Sequence, residues 1–417
     1  MVAAHIEAEP RPALQPEPVR PQDRIFNLDV LRGWAVLGIL AVNAMAFAWP
    51  VALQMGMPVE PPYPHSPANI LGHWVTDVFF HDKFRSLFSM LFGVSVFLVG
   101  GQEGDPARQP VLQRRLIWLA VFGLIHGAAI WYGDILLHYA YCGLILMVMR
   151  SWPGRRLLWI GGGLNLAFGL MAVGGGLAMG LIPGGGAGDN PFAPTAETLG
   201  ATIAAYQSGW PSAQIENLKA WAVLQSASLF LIPVTVGLMM LGLGLFKTGF
   251  FSGRAPVWVY GLLVVLAGAN LAVLGHYGWM EANAAPGADP SRGLAEAAAG
   301  LAPLITLGYA SLLILMTRFR LKAVTGVLAP VGRMAFTNYL TQSLFMAGLF
   351  YLPGGPMAFG DPDWGPGRLW TAVLAIWALQ LVWSPLWLAV FRMGPFEWLW
   401  RCVTYRRMLP ILKERRG

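Results

Sequence analysis

Long apolar runs, bounded by Gly, Pro or charged residues, follow one another along the chain from residue 28 onward. Ten reach the ~18 or more mainly apolar residues that a helix needs to cross a bilayer. They cover 28–49, 84–101, 115–131, 134–150, 156–182, 220–246, 256–279, 299–317, 329–353 and 367–391. The pattern predicts an all-α protein, a polytopic transmembrane helical bundle of about 10 spans. Spans three and four meet at Tyr132-Gly133, a tight hairpin. Span five runs into Pro183-Gly184-Gly185-Gly186, a helix stop, so 184–219 reads as the longest external loop. Pro233 and Pro385 predict kinks in their spans. Residues 1–27 are rich in Pro and polar groups and read as a disordered tail. Residues 28–392 then form one transmembrane domain. Residues 393–417 supply an interfacial helix, aromatic on one side and basic on the other, and a basic tail. No short apolar core with a cleavage site precedes the first span, which is therefore expected to stay as an anchor.

Composition supports the membrane reading. Of 417 residues 56% are hydrophobic and 12% are charged, against about 25% charged in soluble domains. The net charge of +7 is dealt out among connections and not gathered on one face, which excludes a nucleic-acid partner. Alternate connections and the two tails hold 21 of the 28 Lys and Arg, and the intervening connections hold only Lys219, Arg292 and Arg368. That bias predicts both termini on the cytoplasmic side. Cys142 and Cys402 are too few for a disulfide framework and read as free thiols.

Arg32, Lys83, Arg85 and Arg333 complete the basic residues, and all four lie inside or at the mouths of spans. A charge there costs at least ~2.5–3.5 kcal/mol on insertion scales and marks a candidate site. Arg32 and Arg333 fall near the cytoplasmic surface. Arg32 is spaced to pair with Asp29 on its own helix, or to meet phosphate. Lys83 and Arg85 fall at the outer mouth of span two, with Ser89 one turn further in. Asn338 and Gln342 share one face of span nine, where they suit either interhelical hydrogen bonds or a polar ligand, and Asn43 lies about three turns into span one. His126 sits near the outer end of span three, with Asp134 across the hairpin. A carboxylate on one imidazole nitrogen would leave the other as a base, whereas a structural reading makes Asp134 a helix N-cap. His73, Asp77 and His81 repeat every fourth residue before span two, but no metal is expected there. His138 reads as a packed polar residue.

These segments resemble the YeiB-like family of bacterial multi-pass membrane proteins of unknown function. The resemblance is carried by Leu28-Asp29-Val30-Leu31-Arg32-Gly33 with Asn43, and by Lys83-Phe84-Arg85-Ser86-Leu87-Phe88-Ser89. It continues through Phe122-Gly123-Leu124-Ile125-His126, Gly133-Asp134-Ile135-Leu136 and Gly332-Arg333-Met334-Ala335-Phe336-Thr337-Asn338-Tyr339. It ends with Gln342-Ser343 and Gly394-Pro395-Phe396-Glu397-Trp398-Leu399-Trp400-Arg401. That family looks related to transmembrane acyltransferases of the heparan-alpha-glucosaminide N-acetyltransferase type. The relation implies acetyl transfer from cytosolic acetyl-CoA to a sugar across the membrane, here a bacterial inner membrane. It also implies a histidine before the second helix, to which His73 is the loose counterpart. Residues and resemblance together give an expected mechanism. Arg32 and Arg333 would meet the CoA phosphates, and Asn43, Asn338 and Gln342 would flank the pantetheine arm. Lys83, Arg85 and Ser89 would line the acceptor side, with His126 as base oriented by Asp134 and His73 as its rival. The expected partners are the lipid bilayer, acyl-CoA and an extracytoplasmic acceptor, with a homodimer left open. The alternative class is a proton- or anion-coupled transporter.

Overall fold

The computed structural model describes residues 25–54, 61–102, 105, 107–181, 195–284 and 290–414. The residues 1–24 of the expected N-terminal tail lie outside them. The described residues form helices joined by turns, without a named strand. In the first half these are α1 (Phe26–Ala48), α2 (Val51–Gln54), α3 (Pro67–Phe79), α4 (Lys83–Gly100), α5 (Gln109–Ala129), α6 (Leu136–Met149) and α7 (Gly154–Leu181). The middle holds α8 (Ala196–Gln207), α9 (Trp210–Ser228), α10 (Ile232–Lys247), α11 (Val257–Ala282) and α12 (Leu294–Ala299). The remainder are α13 (Ala302–Arg318), α14 (Lys322–Arg333), α15 (Ala335–Phe350), α16 (Pro366–Val390) and α17 (Pro395–Tyr405).

Seven of these helical stretches are long and apolar enough to cross a membrane. They are α1, α5, most of α7, α11, α16, and two composites. The composites are α3 with α4 (Pro67–Gly100) and α9 with α10 (Trp210–Lys247). The other three expected spans correspond to shorter helices. These are α6, of 14 residues, α13, of 17, and α15, of 16. At 1.5 Å per residue α6 and α15 rise only about 21 and 24 Å, less than the roughly 30 Å hydrocarbon layer. The expected span 329–353 is interrupted at Met334, whose backbone (φ −112°, ψ 27°) leaves the helical region. Upstream of the break the chain turns by 116° between α13 and α14. The segment 195–219, expected as loop, instead carries α8 and the start of α9.

Burial sorts the helices into centre and rim. α1 has no charged residue beyond Arg32 and is buried on nearly every side. It packs against α4, α14, α15 and α16. On the rim, α7, α11 and α16 present large apolar side chains outward, among them Leu170, Met171, Val265, Val382 and Leu386. A continuous outward apolar surface is costly in water and neutral in hydrocarbon, so it suits helices that face lipid.

A close backbone contact joins α1 to α14. A Cβ at Gly33 would stand 2.0 Å from the Leu328 carbonyl oxygen, and one at Gly332 would stand 1.8 Å from that of Asp29. Both neighbours are backbone and cannot swing aside, so only glycine lets the two helices approach this far. Gly332→Val is therefore expected to cost at least the ~1–3 kcal/mol typical of overpacking, read as a large drop in thermal unfolding temperature in detergent. Gly163 has nothing within 4 Å of its Cβ position, so Gly163→Ala should leave that temperature unchanged. Equal behaviour of the two variants would contradict the contact.

Candidate functional site

The short helices α6 and α15 frame a cavity of about 250 Å³ with their N-terminal ends. Irregular backbone inside a bundle is tolerated where protein buries it or where it lines a cavity, and both helix starts do the latter. Ile135, Leu136 and Tyr139 line the cavity at the start of α6, and Arg333, Ala335, Phe336 and Tyr339 at the start of α15. One end is basic, with Arg32, Arg115, Arg333 and Arg401 against the carboxylates of Asp29 and Glu397. The rest of the wall is apolar and aromatic, with Phe88, Leu91, Phe92, Leu98 and Leu119 among its residues.

Arg32, Arg333, Arg115 and Glu397 are each held by identifiable contacts. Arg32 Nη1 donates to Asp29 Oδ1 at 3.4 Å on the same helix. Arg333 Nη2 donates to the Arg392 carbonyl at 3.4 Å. The Arg115 guanidinium lies 3.7 Å from the centre of the Trp400 ring, and Trp400 Nε1 donates back to the Arg115 carbonyl at 3.0 Å. These contacts tie α17 to α5, and a second tie runs from Arg114 Nε to the Thr404 carbonyl at 2.8 Å. Glu397 fastens α17 to α15. Its Oε1 accepts from the Phe336 and Thr337 N–H groups at 2.7 and 3.1 Å, and its Oε2 accepts from the Thr337 hydroxyl at 2.5 Å. A carboxylate from a distant helix thus caps the donors that the break at Met334 leaves unpaired.

Beyond Tyr339 lies the pair His126 and Asp134. Their Nδ1 and Oδ1 atoms are 2.9 Å apart, and both side chains are essentially inaccessible, at 1% and 0% exposure. Asp134 also accepts from the N–H groups of Leu136 (3.1 Å) and Leu137 (2.9 Å). The residue is therefore helix cap and histidine partner at once, because the hairpin 130–135 folds it back over the end of α5. The Trp131 and Tyr351 side chains hold that hairpin, donating to the carbonyls of Ala46 and Ile130. With Asp134 as acceptor, the neutral form of the imidazole carries its proton on Nδ1 and keeps the lone pair on Nε2. Nε2 is buried and has no hydrogen-bond partner among the described residues. The His126 ring is 5.3 Å from that of Tyr339, centre to centre, so Tyr339 stands between the histidine and the cavity. The Tyr339 hydroxyl is also buried, beside the backbone of Ile135, without a hydrogen bond of normal geometry.

The other sequence candidates do not all converge here. Asn338 donates to the Val331 carbonyl and to Ser384 Oγ, and its Oδ1 accepts from Trp383 Nε1 at 2.7 Å. Gln342 donates to the Val36 carbonyl and to Gln380 Oε1 at 2.8 Å. Both amides bind α15 to α16 and α1 instead of lining the cavity, and Asn43, half-buried, does not line it either. Ser89 Oγ is 2.8 Å from the Tyr139 hydroxyl and donates to the Arg85 carbonyl, so Ser89 and Arg85 stand one layer behind the wall. Arg85 Nε donates to Asp82 at 2.8 Å, whereas Lys83 Nζ points away to the Asp77 carbonyl at 2.7 Å. His73 is half-exposed, pairs with Asp77 at 3.1 Å and borders a separate small pocket with Trp370. His138 is hydrogen-bonded at both nitrogens, to Tyr141 and Thr235.

Sequence reasoning missed Arg115, Glu397, Trp400, Arg401, Tyr139 and Tyr339. Glu397, Trp400, Arg401 and Tyr339 lie in the motif segments quoted above, and the signal there was dense chemistry in short stretches. Burial raises the Glu397 carboxyl above its ordinary range, opposed by the bonds from Thr337 and Phe336. A neutral amide reproduces the acceptor toward the backbone and reverses only the Thr337 bond. Glu397→Gln is thus expected to keep most of the thermal stability, and Glu397→Ala to lose about 1–3 kcal/mol from unsatisfied buried donors. Indistinguishable unfolding temperatures for wild type and Glu397→Ala would contradict the cap.

Residues 245–407, which include Arg333, Tyr339, Glu397 and Arg401, match a family model described as a protein of unknown function (DUF418). The chain is 30% identical over 414 residues to "Uncharacterized protein YeiB" of Escherichia coli (strain K12), covering 94% of this chain and 99% of that one. It is also 30% identical over 422 residues to "Uncharacterized protein YxaH" of Bacillus subtilis (strain 168), covering 95% and 98%. Similarity at that level over nearly the full length of both proteins means that this chain belongs to the YeiB-like family.

Proposed function

We propose that this protein is a membrane-embedded acyltransferase of the bacterial cell membrane. In this reading it moves an acyl group from cytosolic acyl-CoA to a hydroxyl or amine on the extracytoplasmic side, with a sugar as the favoured acceptor. The observation that carries the reading is one cavity with four arginines at its mouth and, behind one aromatic ring at its other end, a buried histidine oriented by a carboxylate. A cluster of guanidinium groups outnumbering the nearby carboxylates suits the phosphates of CoA, which form bidentate charge-assisted bonds with arginine. An imidazole whose Nδ1 is fixed by Asp134 suits general-base removal of a proton from the acceptor by Nε2. With the Asn338 and Gln342 amides engaged elsewhere, the pantetheine arm is received by shape and apolar contact. The positive-inside bias orients the arginine mouth to the cytoplasm.

Four measurements test this reading. CoA should raise the thermal unfolding temperature of the detergent-solubilised protein. Arg32→Ala and Arg333→Ala should weaken CoA binding about ten- to a hundredfold, from ~1.5–3 kcal/mol per bond to a charged group, while barely affecting an acetyl-pantetheine thioester. Equal losses for both ligands would make the arginines structural. For the base, His126→Ala should abolish acyl transfer and keep the CoA-induced stabilisation, whereas His73→Ala keeps both. The opposite pattern would move the base to His73. For orientation, a cysteine at Ala201 on the exposed face of α8, in a Cys-free background, should react with membrane-impermeant reagent only from outside the cell. Labelling from the cytoplasm would invert the assignment.

A further inference from the structure

His126 Nε2 and the Tyr339 hydroxyl are both buried, and among the described residues neither makes a side-chain hydrogen bond; the hydroxyl lies beside the Ile135 backbone, and the two rings are 5.3 Å apart. The two residues are 1% and 4% exposed. Each such group costs about 1–3 kcal/mol, and a native structure keeps one where it serves a purpose beyond stability. Packing does not require this hydroxyl, since a phenylalanine ring would fill the same space against His126. Tyr139 lines the same cavity and follows the ordinary rule, with its hydroxyl 2.8 Å from Ser89 Oγ. Tyr339 lines the cavity and its ring contacts His126, so this residue links the cavity to the histidine.

We infer that Tyr339 is a catalytic residue, the hydrogen-bond donor that stabilises the thioester carbonyl oxygen as it gains charge. This rests on the acyl-transfer reading above. In the step, His126 Nε2 takes the proton of the acceptor O–H or N–H as the acceptor atom bonds to the thioester carbon. The carbonyl π-electrons move onto oxygen, where the Tyr339 O–H donates to them. Collapse re-forms the carbonyl and breaks the C–S bond, and the departing CoA sulfur takes the proton back from Nε2. A donor placed where charge develops, in a dry site, acts more strongly than in water. The inference also accounts for the placing of the ring, since the oxyanion donor and the base must flank one carbonyl carbon.

The experiment uses full-length protein in detergent and follows thiol release from acetyl-CoA with water as acceptor, alongside thermal unfolding with and without CoA. Tyr339→Phe should lower kcat by about 10²–10³-fold, the range for removal of one oxyanion donor. It should leave KM and the CoA-induced shift in place, and unfold at the same temperature as wild type or higher. Tyr309→Phe is the control: it deletes a hydroxyl that donates to the Phe79 carbonyl at 3.1 Å outside the cavity, and turnover should persist. Wild-type turnover in stable Tyr339→Phe protein overturns the inference and leaves the acyl-transfer reading standing. A Tyr339→Phe loss matched by an equal fall in unfolding temperature overturns it as well, by making the hydroxyl structural. Neither thiol release nor a CoA shift in wild type overturns the reading and the inference together.

Discussion

The backbones of α1 and α14 touch where Gly33 meets Gly332, and the arginines next to those glycines, Arg32 and Arg333, are thereby brought to one cavity mouth. Two guanidinium groups at one mouth repel, and neighbouring groups offset part of that. Asp29 takes up part of the charge of Arg32, and the Arg392 carbonyl accepts from Arg333. Arg115 spreads its charge over the Trp400 ring. A positive field concentrated at the end of an apolar shaft remains. Such a field is costly to build, and it is the kind of feature that a multiply charged anion would use.

The helix break at Met334 has the same logic. The expected span from 329 to 353 is split there into α14 and α15. Splitting it frees N–H groups at the start of α15, and Glu397 on α17 supplies the acceptor. The C-terminal helix, expected to be aromatic on one side and basic on the other, turns Trp400 onto α5 and places both Trp400 and Arg401 in the cavity lining. One short helix both lines the mouth and stabilises the helix that carries Tyr339.

Much of this was legible in the sequence, and the limits are physical. The cost of burying charge picked out Arg32 and Arg333 without knowledge of a cavity. The hairpin at Tyr132-Gly133 put Asp134 near His126, and the structure closes that gap with a turn that folds the carboxylate back. Helical spacing showed correctly that Asn338 and Gln342 share a face. It did not show what that face meets, which is Ser384 and Gln380, themselves four apart on α16. Arg115 looked like one more positive charge in a cytoplasmic connection, and Tyr339 like one more aromatic in an apolar helix. Their importance lies in neighbours more than 200 residues away in sequence, and pairing of that kind leaves no local periodicity to read.

In the proposed reading a single ligand spans the cavity, with phosphates at the arginines and a thioester at Tyr339. The most direct test is a cryo-EM map of the full-length protein with a non-hydrolysable acetyl-CoA analogue. The predicted result is phosphate density among Arg32, Arg115, Arg333 and Arg401, with the sulfur position in contact with Tyr339 and the carbonyl between that hydroxyl and His126. Analogue density beside His73, or a lipid tail filling the shaft in the presence of the analogue, would contradict it.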